Sequence, residues 1–159
     1  MAPIQEHPPS RMKRFLMLKK PLLALSLSIA AAGAMANTAD DIFVENIRTV
    51  RDTAQNPSQY QAGVQEIIRA VDTSDGTVMG LLGRALMRSQ DFDNAQAVLV
   101  SAVRVAPSNG DAQADLSFVS AVRHDCETAR TAYDRAAAIS PSLVDQRHVK
   151  RGRVMCPPA

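Results

Sequence analysis

Three consecutive residues, His124, Asp125 and Cys126, hold the side chains of a nucleophilic triad. A thiolate becomes a catalyst when an imidazole takes its proton and a third group orients that imidazole. Residues adjacent in sequence do not by themselves supply that geometry, so the run reads as a polar turn between helices. The other histidines, His7 and His148, belong to no Cys/His/Asp/Glu set with metal-site spacing. Glycine-rich phosphate loops, HExxH and GxSxG are missing from the sequence. The acids are scattered, with no pair set into an apolar stretch that would raise a carboxyl pKa. The expectation is a protein with no catalytic residue, cofactor or metal. The chemistry left is thiol chemistry, because Cys126 and Cys156 are the only cysteines. Whether they pair depends on the compartment and on the elements that carry them.

The compartment is written in the first 36 residues. Arg11, Lys13, Arg14, Lys19 and Lys20 precede PLLALSLSIAAAGAMA, which is uncharged from Pro21 to Ala36. A basic stretch, a short apolar run and a small-residue exit are the parts of a secretory signal. Ala34 and Ala36 form the A-x-A exit, which places cleavage before Asn37. Met12 and Met17 both precede Lys19 and are alternative starts. The apolar run is short for a membrane span, which needs about 20 residues. The expected location is the periplasm or outside the cell, with no stable membrane insertion after cleavage.

Removing this leader inverts the charge. The chain has 18 basic and 16 acidic residues; the leader takes 5 and 1, leaving 13 against 15. The basic balance belongs to the leader, and no nucleic-acid partner is expected. The mature aromatics are Phe43, Tyr60, Phe92, Phe118 and Tyr133. Ala, Leu, Val and Ile must therefore build most of a modest single core, which suits closely packed helices.

The mature chain is repetitive. In Gly76–Asn109, apolar residues recur at helical spacing through Val78, Met79, Leu82 and Leu86. After the polar break SQDFD they recur at Ala95, Val98, Leu99, Ala102 and Val103. Gly110–Leu143 repeats the layout 34 residues later: Leu82 maps to Leu116, Asp91 to Asp125, Ala95 to Ala129, Leu99 to Tyr133, Ala102 to Ala136 and Pro107 to Pro141. Asp41–Ala54 reads as a helix with Ile42, Phe43, Ile47 and Val50 on one side. The turn Asn56–Gln59 follows, with Ser58 as a possible N-cap. Tyr60, Gly63, Ile67 and Ala70 then form the partner helix.

These units resemble the tetratricopeptide repeat (TPR) family. Met79, Leu82-Gly83, Leu86, Phe92, Ala95, Leu99, Ala102 and Pro107 fall on its pattern. The second unit keeps Leu116, Ala129, Tyr133, Ala136 and Pro141 but departs at Gln113, Ser117 and Ser120, and Gln113 implies a less apolar start to that helix. The resemblance implies an all-α solenoid of about three helix–turn–helix units with a C-terminal capping helix. Residues 37–75 form a degenerate hairpin, 76–109 and 110–143 are the repeats, and 144–159 are the cap and tail. Gly83 is expected to face Ala95 where the paired helices cross. Ala102 and Ala136 are expected where each second helix meets the next unit.

The resemblance also implies a concave face that binds another protein or peptide, through Arg84, Met87, Arg88, Phe118 and Val122. Thr77, Gly80, Asp111, Ala114 and Ala121 complete that face. Phe118 either anchors a partner there or tucks under the N-terminal unit or the tail. The expected function is a protein-binding scaffold or assembly factor of the bacterial envelope. The alternative is an accessory subunit of an envelope enzyme, or a small periplasmic enzyme.

The cysteines then fall into place. A helix over Glu127–Ile139 spans about 20 Å, the chain reverses at Ser140–Ser142, and a tail helix of similar length returns beside it. Pro141-Ser142 is the expected start of that helix, and Gly152 or Pro157-Pro158 its stop. This brings Cys156 back to Cys126, and an oxidising compartment joins them. The bond is expected to staple the cap over Ala132, Ala136 and Ile139.

Overall fold

The computed structural model describes residues 39–158. The expected leader and its expected cleavage site lie outside the described residues. Those described form eight helices and no strand: α1 (Ala39–Thr53), α2 (Pro57–Ala70), α3 (Gly76–Arg88), α4 (Phe92–Val105), α5 (Gly110–Val122), α6 (Cys126–Ile139), α7 (Pro141–Val144) and α8 (Arg147–Met155). None of these helices is long and apolar enough to cross a membrane.

Local chemistry sets the helix starts. Asp75 and Asn109 each accept from backbone N–H groups in the first turns of α3 and α5. Asp91 and Asp125 do the same for α4 and α6. Both cap pairs are 34 residues apart, and an N-cap oxygen is worth about 1 kcal/mol. At α2 the cap is Asn56, whose side chain accepts from the Gln59 N–H, with Pro57 at the first helical position. The expected cap, Ser58, therefore lies inside the helix: Pro57 needs no hydrogen bond at that position and holds the φ a helix requires.

The helix ends repeat as well. Gln90 and His124 both have positive φ, 63° and 61°. After each, the next residue's N–H reaches back to the final turn: Asp91 to the Leu86 carbonyl and Asp125 to the Ser120 carbonyl, both at 2.9 Å. This closes α3 and α5 with a left-handed cap. Asp91 and Asp125 thus end one helix with the backbone and start the next with the side chain.

α1, α3, α5 and α8 pack in a row; α2 packs on α1, α4 on α3 and α5, and α6 on α5. The main core joins Ile47, Val64, Leu82, Leu86, Leu99 and Val119, all fully or almost fully buried. Ile42 is 47% exposed and faces away from that core, contrary to its expected place beside Phe43. Gly83 packs closely on Leu99: a methyl at Gly83 would come within 2.5 Å of Leu99 Cγ.

The tail also differs. It breaks into α7 and the nine-residue α8, with Asp145 and Gln146 between them. Gly152 lies within α8 and does not stop it. Because α8 packs mainly on α5, it covers Ala136 through Val149, while Ala132 faces the main core and Ile139 stays exposed.

Candidate functional site

α5 is buried along nearly its whole length, because helices pack on it from several sides. Asp115 sits in its middle and is 1% exposed. Arg84 of α3 donates to it through Nε at 2.7 Å. From α8, His148 Nε2 lies 3.0 Å from its other oxygen; a carboxylate only accepts, so that nitrogen carries the proton. Arg84 also reaches Asp111 at 3.1 Å. Burial pulls the Arg84 guanidinium down, but Asp115 and Asp111 outweigh it and leave the group above its ordinary value. Phe118, one turn along α5, presents T-shaped contacts to His148 (5.5 Å) and to Phe92 of α4 (6.4 Å).

This cluster was not anticipated from the sequence. Its signal was there: Asp115 is the only charged residue from Ala112 to Val122. An isolated acid in such a run must find a partner on another helix. Gln113, expected to make the helix start less apolar, is instead fully buried, its Nε2 donating to the Pro107 carbonyl at 3.2 Å.

The expected concave face divides in two. Thr77, Asp111 and Arg88 are exposed, with Met87 and Val122 half-buried. Arg88 is paired with Asp40 and Asp41 of α1 at 2.8 and 2.7 Å, and these hydrogen bonds raise its pKa. Ala114 and Ala121 are fully buried, packed with Val149 and Cys156 of the tail. Phe118 is half-buried between α4 and α8. Of its two possible places, the structure has it under the tail.

Cys126 and Cys156 are joined in a disulfide, with Cα atoms 5.2 Å apart. The His124–Asp125–Cys126 run is therefore occupied otherwise: the sulfur is bonded to Cys156, and Asp125 caps α6 and accepts from Gln96. Asp91 is used in the same way, accepting from Tyr60 of α2 at 2.8 Å. Burial, then the Asp91 hydrogen bond, raise the Tyr60 pKa. A groove of about 440 Å³ opens beside it, between Arg51 and the Ser89–Asp91 turn. Among the described residues no three His, Cys, Asp or Glu side chains converge as a metal site would require.

The chain matches no family model, no curated protein and no solved structure.

Proposed function

We propose that the mature chain is a TPR-like scaffold that binds another protein in the bacterial envelope, on the open part of its α1–α3–α5 row. The observation that carries this reading is the 34-residue register of whole structural units. α3 and α5, α4 and α6, their capping residues and their left-handed closing residues all repeat at that offset. A stack of like units presents equivalent positions side by side, which is how solenoids make extended binding surfaces. Thr77 and Asp111 are such a pair: both are exposed, and they occupy the same position in successive units. Arg88, Met87 and Val122 lie along the same two helices. Arg84 and Phe118 contribute from below, by holding α3, α5 and α8 in place. The leader supports the envelope location.

A photo-crosslinking residue at Thr77 or Asp111 tests this. In the native envelope it should trap a discrete protein adduct, whereas the same group at Ala97, exposed on α4, should trap none. Adducts at Ala97 alone, or equal adducts at all three sites, would overturn the assignment of the face.

A further inference from the structure

α8 ends the row of helices and packs on α5. Its buried side is small: Val149 and Gly152 are its buried residues, and Cys156, just after it, is buried too. Its other side carries Arg147, Lys150 and Arg151, and Val154 is 82% exposed. No side chain caps its N-terminus, where Gln146 is extended after the helical Asp145. A nine-residue helix of this kind is not stable alone in water. It persists because α5 provides a seat. Ala114, Ser117 and Ala121 give that seat a low floor, and a methyl at Gly152 would stand 3.1 Å from the Phe118 Cα. Asp115 gives it a polar anchor, taken by His148. Two outer ties add to these: Arg153 lies 4.4 Å over the Tyr133 ring, and Arg130 donates to the Pro157 carbonyl. The Cys126–Cys156 bond is the covalent tie at its far end.

We propose that the face of α5 beneath α8 is a helix-binding groove whose resident occupant is α8. Reduction of the disulfide by a dithiol releases α8, and a helix of another protein then takes its place. That helix offers a glycine to Phe118 and an imidazole or cationic side chain to Asp115. The chemistry of the partner follows from what α8 leaves behind: a floor of small residues and a buried carboxylate that has lost one of its two side-chain partners. Such a carboxylate favours a donor over an apolar group. The reduction balances. One reductant thiolate attacks Cys126, the more accessible sulfur, and Cys156 leaves as a thiolate that takes a proton. The second reductant thiol then displaces Cys126 as its thiol, and the reductant departs as a disulfide. The biological partner rests on the scaffold reading above; the latch itself does not.

The probe is the chain's own tail: a fluorescent peptide of residues 145–158 with Cys156→Ser, followed by anisotropy against the full chain. The oxidised chain should not bind it. The same chain in dithiothreitol, and the Cys126→Ser chain, should bind at least about tenfold more tightly, because the resident tail, then held by the polypeptide alone, competes at a lower effective concentration. A probe with His148→Ala should bind at least about tenfold more weakly, the worth of one hydrogen bond to a charged group. Equal binding before and after reduction, no binding after it, or loss of most of the helical circular dichroism on reduction would each overturn the latch. Crosslinks at Thr77 and Asp111 report the scaffold separately: adducts there without probe binding keep the scaffold and reject the latch.

Discussion

Gln90 and His124 hold left-handed backbone at φ 63° and 61°, where a Cβ is unwelcome and glycine is the usual occupant. Replacing either by glycine should stabilise the fold by about 0.5–1 kcal/mol, the strain relieved less the extra entropy of glycine when unfolded. Urea denaturation of Gln90→Gly, His124→Gly and the double variant checks this. The sites are 34 residues apart and share no partner, so their effects should add. Asp115 is the opposite case. Asp115→Ala leaves Arg84, mostly buried, without its closest anion, and should cost about 3 kcal/mol. Arg88→Ala breaks pairs of similar length, but Arg88 is 45% exposed, and solvent already screens it; that change should cost less than about 1 kcal/mol. Equal costs in denaturant would show that burial does not set the strength of these pairs.

Among the elements, α3 to α6 each start on a side-chain N-cap, and α3 and α5 end at a left-handed residue. α7 and α8 have no side-chain cap and depend on what they lean against. The disulfide should therefore matter most for them. Thiol titration of the non-reduced protein should find no free thiol, and two free thiols would remove the covalent tie from every account of the tail. With 30 residues between the cysteines, Cys156→Ser should cost about 3.5 kcal/mol on the loop-entropy account. The cost should appear as early loss of α8, with α3 to α6 still folded.

Over the whole molecule, protection from hydrogen exchange should be graded along the row. α5, covered on most sides, and the facing sides of α3 and α4 should exchange slowest. α2, in which Val64 is the one fully buried side chain, should exchange fastest among α1 to α6, since local stability follows buried apolar contact. Uniform exchange would mean that the row unfolds as one unit. Intact mass of the native protein should place its N-terminus at Asn37, and retention of residues 21–36 would refute the leader. The sequence by itself determined whatever depends on neighbours within one or two helical turns. The 34-residue units, the Asp91 and Asp125 turns and the apolar faces of α3 and α4 follow from spacing, because caps and periodicity act over three or four residues. The cysteine pairing followed too, because there are only two cysteines and the tail must return, although it returns as α7 and the shorter α8 and not as one helix. Only the tertiary structure decided the rest. Arg84 and Asp115 are 31 residues apart, and Asp115 and His148 are 33; no local pattern links them. Gly83 against Leu99 and the break at Asp145–Gln146 depend on how far one helix slides along another. The expected anchor Phe118 lies under α8 because the row ends there, and its last open seat is filled by whichever helix the chain can bring back to it.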